Sequence, residues 1–140
     1  MSQNKYQENF KNTIYRVFND KDYTFDILVG SEHVLENLGF AHENSWAFIT
    51  AWNPLPIIYT LEENRFRNEL LKKEIDGLGL QYLDGIGMAK DGSWFEESLF
   101  IVDISKSQAE DLAKKYNQLA YLFGLRNEKA ELVVTGGNIE

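Results

Sequence analysis

The sequence predicts an α+β fold: a mixed, largely antiparallel sheet of about six or seven strands with three to four helices. Three observations predict it. Short apolar runs with strand character follow one another across turn-length links, which favours hairpins and antiparallel pairing. Two segments with helical periodicity each begin at a Ser or Thr followed three residues later by Glu or Gln, and they interrupt the strands. The 140 residues are 44% hydrophobic and 14% aromatic, enough to bury a core in a single domain, 1–140, without a disulfide or a metal.

In chain order, Tyr6 and Phe10 lie one turn apart in residues 3–12, which predicts a short amphipathic N-terminal helix. Thr13 to Phe18 and Tyr23 to Val29 read as strands joined by Asn19-Asp20-Lys21-Asp22; in the second, Phe25, Ile27 and Val29 alternate with Asp26 and Leu28. Ser31 can cap a short helix holding Val34, Leu35 and Leu38, and Gly39 suits its stop. Trp46 to Trp52 is apolar with almost no alternation, as a central strand covered on both faces would be. Asn53 and Pro54 end it. Thr60 and Glu63 form a capping box for a long helix to about Asp76, which Gly77 and Gly79 stop. Leu80 to Met88 and Trp94 to Ile104 read as strands joined by Lys90-Asp91-Gly92-Ser93. Gly85-Ile86-Gly87 lacks the third glycine and the helix of a dinucleotide fingerprint, so a bulge or bend is expected there. Ser105 and Gln108 open another helix, with Ala109, Leu112, Ala113 and Tyr116 inward. Leu119 to Phe123 and Ala130 to Thr135 form a closing hairpin around Arg126-Asn127-Glu128-Lys129, and Thr135-Gly136-Gly137 reads as a tail.

Several function classes are excluded. Without cysteine there is no disulfide scaffold, thiolate zinc site or thiol nucleophile. Twenty-two acidic against fourteen basic residues give a net charge of −8, which argues against nucleic acid or an anionic membrane as partner. No apolar run approaches the ~20 residues of a membrane span. MSQNKYQENFK lacks the apolar stretch of a signal peptide, so a cytoplasmic location is expected. His33 and His42 lack the companions of a zinc site or a triad and are expected at the surface. Neither a metal nor a cofactor is expected.

The informative residues are polar ones that face inward. On the long helix, Glu62, Arg65, Glu69, Lys72, Lys73 and Asp76 gather on one charged arc, and Phe66, Leu70, Leu71, Ile75 and Leu78 on the opposite one. Glu63, Asn64 and Arg67 project inside that apolar arc, with Asn68 at its edge. A guanidinium there either pairs with Glu63 at i and i+4 or lines a cleft and offers its fork of donors to an acidic group. In the strand after Trp94, Glu96 shares a face with Trp94, Ser98 and Phe100. It is a candidate general base, a ligand-orienting acceptor or a counter-ion for Arg67. Trp52 and Asn53 stand where a central strand runs out, a usual place for a small-molecule wall. Gln118, just past the last helix, supplies another amide or satisfies backbone there.

The segment Phe48-Ile49-Thr50-Ala51-Trp52-Asn53-Pro54, followed by Glu63-Asn64, Arg67-Asn68 and Trp94-x-Glu96-x-Ser98, resembles an uncharacterised bacterial family, domain of unknown function 3293 (DUF3293). The resemblance runs from Tyr15-Arg16-Val17 to the region of Gln118 and Ala120. The family tends to carry a serine shortly after Asn-Pro, where this chain reads Leu55-Pro56. It also tends to carry Phe-Gly-Gln-Asn-Ala, where this chain reads Tyr116-Asn117-Gln118-Leu119-Ala120. The resemblance implies a shared fold and a recurring set of inward polar positions, but no activity.

Three functions remain open. The first is binding of a small, partly anionic or nucleotide-like ligand in a polar cleft lined by Trp52, Asn53, Asn64, Arg67, Trp94, Glu96 and Gln118. The second is an acidic interaction or inhibitor module that masks a basic protein partner without a pocket. The third is a carboxylate acid–base enzyme with Glu96 as the catalytic group and Arg67 as stabiliser.

Overall fold

A computed structural model describes residues 12–20, 23–53 and 58–135. Its elements are β1 (Thr13–Asp20), β2 (Tyr23–Ile27), α1 (Val34–Asn37), β3 (Ser45–Ile49), α2 (Leu61–Gly77), β4 (Gln81–Ala89), β5 (Phe95–Val102), α3 (Lys106–Lys115), β6 (Ala120–Leu125) and β7 (Glu131–Val134). The expected N-terminal helix, the residues Lys21 and Asp22 of the first turn, Pro54 to Pro56 and the glycines of the tail lie outside the described residues. The fold is α+β, with seven strands in the order β2-β1-β4-β5-β3-β6-β7. Each neighbouring pair is antiparallel, so the sheet has no parallel pairing among these strands.

Both long helices start as their sequences dictate. The Thr60 hydroxyl accepts from the Glu63 N–H and the Glu63 carboxylate accepts from the Thr60 N–H, closing the capping box. Ser105 and Gln108 repeat the device at α3. The short helix differs from its expectation. His33, not Ser31, occupies the N-cap without a side-chain bond, and the Ser31 hydroxyl is buried with no partner among the described residues. Ser31 instead uses its backbone: its carbonyl accepts from the Ala130 N–H at 2.7 Å, while the Gly30 N–H donates to the Ala130 carbonyl at 2.7 Å. These two bonds tie the end of β2 to the start of β7, so the sheet's outer edges meet and the sheet curls.

The curl divides the core in two. On the outer face, α2 and α3 press Leu71, Ile75, Leu112 and Ala113 onto Ala47, Ile49, Leu99 and Ile101. Inside the curl lie Tyr15, Val17, Trp46, Phe48, Phe100, Val102 and Leu122, capped by Val34, Leu35 and Leu38 of the α1 region. Two glycines make this interior possible. Trp46 stands opposite Gly124, where a Cβ would lie 2.5 Å from the indole nitrogen. Gly85 gives its space to Phe48, since a Cβ there would lie 2.8 Å from the ring and 2.8 Å from the Arg16 carbonyl. The strand register is regular through Gly85-Ile86-Gly87, so these glycines mark side-chain space, not the expected bulge.

Helix α2 is rotated from the expected arc. Its buried residues are Asn64, Asn68, Leu71 and Ile75, whereas Phe66 is 65% exposed and Leu70 and Leu78 also face solvent. Half of the inward stripe is therefore amide, and the reason lies in what the two asparagines touch.

Candidate functional site

Strand β3 ends at Ile49, and Thr50 to Asn53 leave the sheet with backbone groups that no strand can satisfy. Side chains satisfy them instead. The Ala51 N–H donates to Asn68 Oδ1 at 2.8 Å, and Asn68 Nδ2 donates to the Glu97 carbonyl at 2.8 Å. The Thr50 hydroxyl donates to that same carbonyl at 2.6 Å and accepts from the Trp52 N–H at 3.0 Å. Asn53 adopts a positive φ of 41°. Its N–H donates to Asn64 Oδ1 at 2.7 Å, and its own Oδ1 accepts from Asn64 Nδ2 and the Tyr59 N–H, each at 2.9 Å. Asn64 and Asn68 are only 2% and 5% exposed, so a residue without this reach would strand buried peptide groups.

Arg67 belongs to the same brace. Its Nε donates to the Ala51 carbonyl at 2.9 Å and its Nη2 to the Tyr116 carbonyl at 3.0 Å. The guanidinium carbon sits 5.4 Å from the Tyr59 ring centre and 5.5 Å from that of Tyr116. Two carbonyl dipoles and two aromatic rings thus take the place of a carboxylate partner. Of the two alternatives for Arg67, pairing with Glu63 is not the one formed, because the Glu63 carboxylate is held by Thr60 in the capping box. Gln118 Nε2 completes the brace by donating to the carbonyls of Trp52 at 3.1 Å and Tyr116 at 3.2 Å.

Inside the curl, next to this brace, lies a cavity of about 220 Å³. Tyr15, Phe48, Trp94, Leu122 and Leu132 give it apolar walls, and Thr50, Asn53, Glu96, Ser98 and Gln118 give it polar groups. Gly87 contributes the open space. It pairs with Tyr15 and Glu96 on its two sides, and a Cβ there would meet only the Thr13 methyl, at 4.0 Å. Of the residues singled out from the sequence, Asn53, Trp94, Glu96 and Gln118 border this cavity. Trp52, Asn64 and Arg67 are not among its lining; they hold the strand end that forms its rim. The lining residues Tyr15, Phe48 and Thr50 stand out in the sequence only as parts of the family-like segments, and Gly87, expected in a bulge or bend, is set opposite Tyr15 and Glu96 by the strand register alone.

Glu96 is the unusual group. Among the described residues none donates a hydrogen bond to its carboxyl, and burial raises it from the ordinary 4.5 to about 7. Burial also raises the Tyr15 phenol, opposed by a hydrogen bond with Thr13 and reinforced by the Glu96 charge. No Lys, Arg or His lies among the described lining residues. A more open groove, about 1120 Å³, runs between β1–β2 and β6–β7. Its rim carries Asp26, Glu32, Glu128 and Glu131 as well as Lys90, Lys106 and Lys129, of which Lys106 and Glu131 pair at 2.9 Å. His33 and His42 are exposed. Among the described residues no helix is long and apolar enough to cross a membrane.

No curated protein and no solved structure matches the chain. A family match covers residues 49–121, just over half of the chain, and takes in the braced strand end, α2, β4, β5 and α3. The chain belongs to the family of proteins of unknown function DUF3293.

Proposed function

We propose that this chain binds a small molecule in the cavity inside the curled sheet, with Glu96 as its polar anchor. The observation that carries the reading is a carboxyl group without a hydrogen-bond donor among the described residues, facing an aromatic-walled space that a missing side chain at Gly87 leaves open. An unpartnered carboxyl costs stability in a fold, and a ligand donor would offset that cost. The brace of Asn64, Arg67, Asn68 and Gln118 supports the same reading as the device that fixes the rim. At about 220 Å³ the space suits a ligand of roughly one ring rather than a whole nucleotide.

The test is a screen of small metabolites followed by thermal shift and NMR, repeated on Gly87→Leu. A leucine there grows into open space, so the variant should fold and lose every ligand that the native chain binds. A ligand that binds Gly87→Leu with unchanged affinity rejects the cavity as its site.

A second reading, acid–base catalysis by Glu96, is favoured by one observation: a carboxyl raised to about 7 is poised near neutral pH. If a bound molecule is turned over, the rate should titrate near pH 7 in the native chain. Turnover that persists in Glu96→Gln rejects this role.

A further inference from the structure

We infer that the occupant of the cavity is an organic cation of about one ring in size, an ammonium or similar group held against Glu96 between aromatic walls. The inference rests on the cavity reading above and adds the charge of the ligand. Three features carry it. First, the lining places one carboxyl group among the rings of Tyr15, Phe48 and Trp94, and aromatic faces with one anion form the usual surroundings of a bound ammonium. Second, no described lining residue is basic. Arg67, the residue from which an anionic ligand was expected, spends its Nε and Nη2 on the carbonyls of Ala51 and Tyr116. An anion in the cavity would meet Glu96 with nothing to balance it. Third, the chain carries a net charge of −8, so its field favours the approach of cations over anions.

The polar groups beside Glu96 fit the same occupant. Thr50 and Asn53 have their side-chain oxygens tied into the rim, and the Gln118 amide nitrogen already donates to two carbonyls. The Thr50 and Ser98 hydroxyls and the Gln118 amide thus already donate to backbone carbonyls, whereas the Glu96 oxygens remain acceptors without a bond from the described residues. The cavity asks for a donor, and a charged donor satisfies it best.

Binding should also depend on pH, because only the ionised carboxylate pairs with a cation. The titratable group facing Glu96 from the surrounding strands is Tyr15 on β1; Tyr121 on β6 borders the cavity but turns its hydroxyl to Glu110 on the helix side of the sheet, and Ser98, Trp94, Asn53, Thr50 and Gln118 are uncharged. Burial raises both phenols above their ordinary value, so neither titrates between pH 5 and 8. Affinity for a cation should therefore rise from pH 5 to 8 through the titration of Glu96 alone.

The test uses three probes of one shape and three charges: benzylammonium, benzyl alcohol and benzoate, titrated into the full chain by NMR at pH 8. The expected order is benzylammonium at least tenfold tighter than benzyl alcohol, with benzoate weakest. Glu96→Gln should remove the preference for the cation over the alcohol, and Gly87→Leu should abolish binding of all three. Benzyl alcohol or benzoate binding as tightly as benzylammonium overturns the cation inference and leaves the cavity reading standing. Equal binding of the probes by Gly87→Leu, or no binding of any probe by the native chain, overturns both.

Discussion

Glu96 and Glu97 are neighbours on β5, and the pleat sends them to opposite sides of the sheet. On the helix-bearing side Glu97 is fully answered: Arg65 Nη2 donates to its carboxylate at 2.7 Å, and its backbone carbonyl accepts from both Asn68 and Thr50. On the inner side Glu96 faces Tyr15, Trp94 and the space over Gly87, and no described residue bonds its carboxyl. The same residue type, one position apart, is a surface ion pair in one case and a raised acid in the other. What separates them is the environment on each face, not the local sequence. A polar group whose partners are all supplied belongs to the architecture; one without a partner among the described residues keeps its hydrogen-bonding capacity for another group.

That contrast can be broken from either side. The largest effect is expected at the brace. Asn68→Ala would leave the buried Ala51 N–H without a partner, remove one donor from the Glu97 carbonyl and open a void beneath α2. A loss of about 4 kcal/mol is expected by chemical denaturation, with a disturbed cavity as a consequence. A loss below about 1 kcal/mol would show that the strand end does not need this support.

The inner carboxyl predicts an effect of opposite sign. The Glu96 pKa in the fold, about 7, lies above its ordinary 4.5, so folding favours the neutral form. Below the ordinary value the group is neutral whether folded or not, and there is no penalty. As pH rises from 4.5 to 7 the unfolded chain releases the proton that the folded chain still holds, so stability falls across this range. Glu96→Gln should therefore stabilise the chain by about 3 kcal/mol more at pH 8 than at pH 4.5, read from the difference between the two denaturation curves. A difference that does not change with pH would place Glu96 in a wet, ordinary setting.

The two glycines of β4 sharpen the comparison within a single strand. At Gly85 a Cβ meets the Phe48 ring and the Arg16 carbonyl at 2.8 Å, so Gly85→Ala should cost about 2 kcal/mol. At Gly87 a Cβ meets open space, and alanine restricts the unfolded chain, so Gly87→Ala should be neutral or stabilising by about 0.5 kcal/mol. Equal losses at both positions in thermal unfolding would mean that the space over Gly87 closes in solution.

Much of the architecture was legible because it depends on local chemistry. Thr60 with Glu63 and Ser105 with Gln108 close their capping boxes as their spacing dictates. The unalternating run at Trp46 becomes the fully buried β3. Where local rules compete with distant partners, the distant partners win. Ser31 is a good capping residue by type, but its segment is claimed by backbone bonds to Ala130. Thr135 was read into a tail, yet its hydroxyl donates to the carbonyls of Gln118 and Leu119 and is buried.

The candidate site divides in the same way. The sequence by itself determined which residue types had to be explained: inward asparagines and a guanidinium on α2, a carboxyl beside Trp94, and amides at the ends of β3 and α3. Only the tertiary structure decided their roles. Hydrophobic periodicity placed Phe66 inward, but the unpaired peptide groups from Thr50 to Asn53 turned Asn64 and Asn68 toward the sheet and left Phe66 in solvent. The physical reason is one of magnitude. Exposing one aromatic ring forgoes about 2 kcal/mol of burial, whereas stranding several buried peptide groups at about 1–3 kcal/mol each costs more. That rotation draws Arg67 into the brace, on the side of the sheet away from Glu96.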